Sequence, residues 1–148
     1  RLLKKFDTAK SYVPAPVRTD SSQPANVGVV YYGSTAPSMR EALEQLEASG
    51  VHVNAMRVRA FPFAKELDGF VSEHDIVFVV EQNRDGQLRT LMLVESGFDP
   101  AKVRSIVHYD GTPITARFIC AAIKNALDGE HGTGEDAARE HVKNEVLQ

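Results

Sequence analysis

The side chains able to do chemistry are few, and their spacing limits what they can do. Five histidines (His52, His74, His108, His131 and His141) and the single Cys120 are the candidate metal ligands and nucleophiles. No two histidines stand in an HxxxH relation, and one thiol cannot build an iron–sulfur cluster or a thiolate zinc site, so no metal is expected. The GxSxG of a nucleophile elbow is missing. Cys120 lies between Ile119 and Ala121 in an apolar stretch and reads as a packing residue.

The other polar groups gather in short runs that follow apolar stretches. Gly33-Ser34-Thr35 opens a helix, where free N–H groups and hydroxyls would hold an anion such as a coenzyme A phosphate. The plainer reading is that Ser34 and Thr35 satisfy the helix's own unpaired donors. Neither GxGxxG nor GxxxxGK[ST] is present, so a nucleotide fingerprint is lacking. Receiver-type phosphoacceptor chemistry wants an acidic pair after the first strand and an aspartate ending the third. Those positions hold Tyr32-Gly33 and Glu81-Gln82. Glu81-Gln82-Asn83, running on to Gly86 and Gln87, sets a carboxylate and two amides at the end of the most apolar strand. Burying them requires partners, from a ligand, a neighbouring domain or the loop through Gly86. Phe61-Pro62-Phe63 suits a docking surface or a core plug.

These runs must be positioned by something regular. Apolar stretches at Val27–Tyr32, Val51–Val58, Ile76–Val80 and Val103–Tyr109 read as strands. Ser38–Ala48, Lys65–Glu73, Gln87–Glu95 and Thr115–Leu127 carry apolar residues at helical spacing. Thr35 is expected to cap the first of these helices, with Pro37 in its first turn and Gly50 past its end. Thr112-Pro113 repeats the device before the last. Four alternating strands and helices predict an α/β fold: three layers, a largely parallel sheet, and helices on both faces. The polar runs then stand at the carboxyl ends of the strands, where such sheets bind ligands and partners.

Composition fits one such domain. The chain has 148 residues, 43% hydrophobic, and a net charge of −3, which lacks a basic footprint for nucleic acid. No apolar run approaches the roughly 18 residues of a membrane-spanning helix. One cysteine and no signal peptide suit the cytoplasm. Residues 1–26 read as a connector from an upstream domain, with a short helical turn around Leu2, Leu3 and Phe6 and then prolines. Residues 27–127 form the α/β domain, and 128–148 an acidic tail, either disordered or helical over Glu135–Leu147. The start at Arg1, without Met, suggests a fragment.

At the strand-end runs the sequence resembles the C-terminal domain of the alpha subunit of 2-oxoacid:ferredoxin oxidoreductases, which is related to the transketolase C-terminal domain. The matching stretches are Tyr32–Thr35, Arg59 with Phe61-Pro62-Phe63, Val80–Asn83 with Gly86-Gln87-Leu88, and Asp110–Thr115. Ala64 departs from the family, which often has proline there. The resemblance covers about Val27–Leu127 and implies a transketolase C-terminal-like fold. It implies that the whole enzyme oxidatively decarboxylates a 2-oxoacid, preferably 2-oxoglutarate, with coenzyme A to an acyl-CoA while reducing ferredoxin. It also implies thiamine diphosphate, magnesium and iron–sulfur clusters held by other domains or by a beta subunit. This domain would then be non-catalytic. Its candidate contact residues, Phe61, Pro62, Phe63, Glu81, Gln82, Asn83, Gly86 and Gln87, would face the upstream pyrimidine-binding domain or the beta subunit, with ferredoxin reached through the whole complex. Two alternatives stay open: a domain that binds coenzyme A phosphate at Gly33, Ser34 and Thr35, and a free-standing interaction module.

Overall fold

A computed structural model describes residues 2–129. Helix α1 (Leu2–Ala9) precedes strand β1 (Val17–Thr19). The alternating body follows: β2 (Val27–Tyr32), α2 (Ala36–Ala48), β3 (Asn54–Val58), α3 (Lys65–Glu73), β4 (Ile76–Glu81), α4 (Gln87–Ser96), β5 (Val103–Val107) and α5 (Ala116–Leu127). The acidic segment 130–148, with the expected helix at Glu135–Leu147, lies outside the described residues. No described helix is long and apolar enough to cross a membrane.

The sheet order is β1-β3-β2-β4-β5. Strands β2 to β5 pair in parallel, as their alternation with helices requires. Both faces are covered. Val29, Tyr31, Phe78 and Ile106 pack under α2 and α5 through Leu46, Ile119 and Ile123. Val30, Met56, Val77 and Val79 pack under α3 and α4 through Phe70, Leu67 and Met92. Strand β4 is therefore nearly all apolar, because a central parallel strand has no solvent side.

Three local expectations need correcting. The stretch read as a connector contributes a fifth strand: β1 pairs antiparallel with β3, Val17 opposite Arg57 and Thr19 opposite Ala55, so the sheet is mixed. Thr35 makes no side-chain cap on α2, which is preceded by a 3-10 turn at Gly33–Thr35. Thr115, not Thr112, caps α5, its hydroxyl accepting from Phe118 N at 3.2 Å. The N–H and hydroxyl of Thr112 both donate to Asp110 Oδ1 at 2.8 Å, which closes a side-chain turn instead.

The N-terminal segment is held by polar side chains rather than by a core. Arg18 Nη1 donates to Glu73 Oε2 at 2.7 Å. Ser21 Oγ donates to Glu47 Oε2 at 2.7 Å, Ser22 Oγ donates to Glu47 Oε1, and Ser21 N donates to Asn54 Oδ1 at 3.0 Å. At the core, Asn54 Nδ2 reaches the buried His74 Nε2 at 2.9 Å, while His74 Nδ1 lies 2.6 Å from Phe70 O. His74 is thus a core histidine with both ring nitrogens satisfied.

Two outcomes follow. Gly28 lies against this histidine, and a Cβ there would meet Phe70 Cε1 at 2.8 Å and His74 Cγ at 3.1 Å. Gly28→Ala should therefore destabilise the chain by about 1–3 kcal/mol in urea unfolding, and unchanged stability would contradict the packing. The hydroxyls of Ser22 and Ser21, then His52, hold the Glu47 carboxyl down to about 2. A lowered carboxyl stabilises the fold above its ordinary range and loses that contribution as the pH falls toward 2. Carboxyl-carbon NMR should find Glu47 titrating well below the exposed glutamates; a midpoint among theirs would refute the tether.

Candidate functional site

The strand order reverses direction between β2 and β4, which makes the loops after these two strands the switch point of the sheet. Two of the expected site runs, Gly33-Ser34-Thr35 and Glu81-Gln82-Asn83, stand there. Their geometry explains why they contain these residue types.

Glu81 is fully buried at the end of β4. Its Oε2 accepts from Leu88 N at 2.8 Å and Asn83 Nδ2 at 2.7 Å, and its Oε1 accepts from Arg89 N at 3.2 Å. Helix α4 has no side-chain cap at Gly86. The strand-end carboxylate takes that role, at the end of the helix where negative charge is favoured. Gly86 adopts the left-handed conformation, φ +60°, and a Cβ there would lie 3.0 Å from Ser105 Oγ, so the return of the loop over the carboxylate suits glycine. Asn83 Oδ1 accepts from Asp85 N at 3.1 Å and Gln87 N at 3.2 Å, which sets the turn.

Gln82 faces the other way. Its Nε2 donates to Ser34 Oγ at 3.1 Å and Thr35 Oγ1 at 3.3 Å, and its Oε1 accepts from Ile114 N at 3.2 Å. One amide thereby ties the loops after β2, β4 and β5 together. The two hydroxyls proposed for an anion accept hydrogen bonds from the chain's own glutamine, and Thr35 is buried. The loop after β5 is also fixed from within: His108 N donates to Glu81 O at 3.0 Å, and His108 Nε2 lies 3.1 Å from Thr112 O and 3.1 Å from Asp110 Oδ1.

Phe61-Pro62-Phe63 is not part of this cluster and stands farther along the rim, after β3. Pro62 and Phe63 are buried, Phe63 in the core beneath α3, while Phe61 is 42% exposed and meets the Phe63 ring edge-on at 5.3 Å. The run is thus both plug and surface. Gln87 is exposed at the start of α4. Sequence reasoning missed Tyr32, 38% exposed on the rim, and the Ile114 N–H that completes the Gln82 bridge. The in-out alternation of Tyr31 and Tyr32 was the available signal for the first; a backbone donor leaves none.

Among the described residues no three His, Cys, Asp or Glu side chains converge as a metal site. Cys120 Sγ is buried, 3.4 Å from Ala42 O, and burial pushes its thiol up, which favours the neutral, unreactive form. The donors among the described residues do not fit magnesium or an iron–sulfur cluster.

Glu81→Ala leaves the Leu88 and Arg89 N–H groups without their acceptor and should cost about 2–4 kcal/mol. Hydrogen exchange should show these two amides accelerated first. A variant as stable as the wild type would contradict the capping role.

No family model matches the chain. The alpha subunit of 2-oxoacid:ferredoxin oxidoreductase 2 from Aeropyrum pernix is 32% identical over 139 residues, 90% of this chain and 20% of that protein. The solved 2-oxoglutarate:ferredoxin oxidoreductase from Magnetococcus marinus, with 2-oxoglutarate, coenzyme A and succinyl-CoA bound, superposes with a TM-score of 0.74 at 26% identity. That match covers 84% of this chain and 22% of the solved one. A split-gene transketolase, an inactive beta4 tetramer, matches with a TM-score of 0.58 at 25% identity, over 76% of this chain and 42% of that one. The chain spans about a fifth of the length of the curated relatives it matches. It is a homologue of 2-oxoacid:ferredoxin oxidoreductase alpha subunits, built on a mixed, largely parallel α/β sheet with transketolase-like neighbours.

Proposed function

We propose that this chain is the transketolase C-terminal-like docking domain, residues 27–127 with the preceding connector and an acidic tail, of a 2-oxoacid:ferredoxin oxidoreductase alpha subunit. The whole enzyme oxidatively decarboxylates a 2-oxoacid, 2-oxoglutarate by preference, transfers the acyl group to coenzyme A and passes electrons to ferredoxin in the cytoplasm. Thiamine diphosphate, magnesium and iron–sulfur clusters belong to other domains or to the beta subunit. The domain breaks no bonds. Its strand-end residues Phe61–Phe63 and Glu81–Gln87 form and brace the surface that meets the pyrimidine-binding domain or the beta subunit.

The observation that carries this reading is the consumption of the switch-point polar groups by the chain itself. In a catalytic or anion-binding rim, polar groups converge on a ligand. Here Glu81, Gln82 and Asn83 spend their hydrogen bonds on three loops and a helix terminus, in a chain similar over nine-tenths of its length to an oxidoreductase subunit. The result is a stiff rim suited to docking.

The test is ferredoxin reduction by the assembled complex, given coenzyme A and either 2-oxoglutarate or pyruvate, beside the 148-residue chain alone. Turnover is expected from the complex, faster with 2-oxoglutarate, and none from the chain. Pyruvate preference would overturn the substrate assignment. Turnover by the lone chain, or a complex inert with both acids, would overturn the docking reading.

A further inference from the structure

We infer that residues 14–22 act as a latched strut: Glu47 and Glu73 fasten its far end, and its near end sets the position of the docking run Phe61–Phe63. Glu47 is thereby a positioning residue for a surface at the opposite end of the sheet. The inference rests on the docking reading above and deepens it by naming what holds that surface in place.

The first observation is that no apolar core holds this segment. All three residues of β1 are exposed, and neither of the two cores draws a residue from before Val27. A segment that buries so little apolar surface opens at a lower free energy than the sheet it borders. What keeps it closed is polar, and can be removed without dismantling β2 to β5.

The second observation is the latch. Three donors of the strut converge on one carboxylate: Ser21 Oγ reaches Glu47 Oε2 at 2.7 Å, Ser22 N reaches Oε1 at 3.3 Å, and Ser22 Oγ also donates to Oε1. His52 Nδ1 stands 3.3 Å from the same carboxylate. Ser21 N is held by Asn54 Oδ1, and Arg18 Nη1 by Glu73 Oε2. Hydrogen bonds to an ionised acceptor are roughly twice as strong as neutral ones. Glu47 is therefore the single side chain whose loss frees most of the strut.

The third observation is what the near end touches. Val17 pairs with Arg57 in antiparallel register, so the residues before Val17 run on beside those that follow β3. Pro14 and Pro16 line a shallow recess with Val58, Arg59 and Phe63, and Arg59 Nη1 donates to Ala15 O at 3.4 Å. The Phe63 ring in turn meets Phe61 edge-on at 5.3 Å. Contact thus passes from the strut to Phe63 and from Phe63 to the exposed Phe61. Two prolines with fixed φ stiffen the segment, so a shift at residues 17–22 is carried to residues 14–16 rather than absorbed.

The experiment places 4-fluorophenylalanine at position 61 of the 148-residue chain and compares Glu47→Ala with the wild type. Amide exchange at residues 17–21 and tryptic cleavage after Arg18 should each become about tenfold faster. The fluorine resonance should move toward that of the free amino acid, while exchange at residues 76–81 stays as it was. Ser21→Ala combined with Ser22→Ala removes the latch from its other side and should reproduce these changes. In the full alpha subunit within its native complex, Glu47→Ala should speed exchange across residues 59–63 about tenfold, because a docking run that wanders is undocked more often. An opened strut with an unmoved fluorine resonance would overturn the proposal. So would unchanged cleavage, or exchange at 17–21 that rises only together with 76–81. The docking reading fails separately, if residues 59–63 of the wild type exchange as fast in the complex as in the isolated chain.

Discussion

Burial of the Glu81 carboxylate beneath the first turn of α4 is the constraint on which the rim depends. Taking a carboxylate out of water costs several kcal/mol even after relaxation. The helix terminus returns at most about 2 kcal/mol, too little to offset that. The two backbone N–H donors and the Asn83 amide must make up the difference, so all three have to be present together. This fixes the path of the loop: α4 must begin where Leu88 and Arg89 can aim inward, and Gly86 must take a backbone conformation other residues avoid. Asn83 then serves twice, toward Glu81 with its amide nitrogen and toward Asp85 and Gln87 with its oxygen.

The same economy closes the switch point. Doubly wound sheets ordinarily leave a crevice between the loops of the reversing strands, and ligands enter it. Here the Gln82 amide spans that gap, with donors to Ser34 and Thr35 on one side and an acceptor for Ile114 on the other. One side chain thus bridges the three loops that border the crevice. The rim also carries exposed aromatic surface at Tyr32, Phe61 and Tyr109.

Much of this was legible from residues alone, because apolar period and burial are local signals. Ile76–Val80 could only be a buried strand, and Leu67, Phe70 and Val71 could only face a core. Strand β1 was not legible: its three residues are all exposed, flanked by prolines, and held by backbone pairing and by Arg18 and Ser21 reaching distant partners. Thr112-Pro113 looked like a helix start, yet Asp110 claims Thr112, Gln82 takes the Ile114 amide, and the cap moves to Thr115. For Glu81-Gln82-Asn83 the need for partners was visible, since buried polar groups cannot go unmet. Their identity was not, because Gln82 joins residues 47 and 32 positions away.

Two sets of rim residues therefore stand apart: those spent on holding loops, and those left facing outward. Hydrogen–deuterium exchange on the complete complex beside the isolated chain distinguishes them directly. Slow exchange at residues 82–89 in both states, with residues 59–63 and 109–111 strongly protected only on assembly, is the predicted result. Equal exchange of the outward set in the two states would contradict the view that this domain exists to dock.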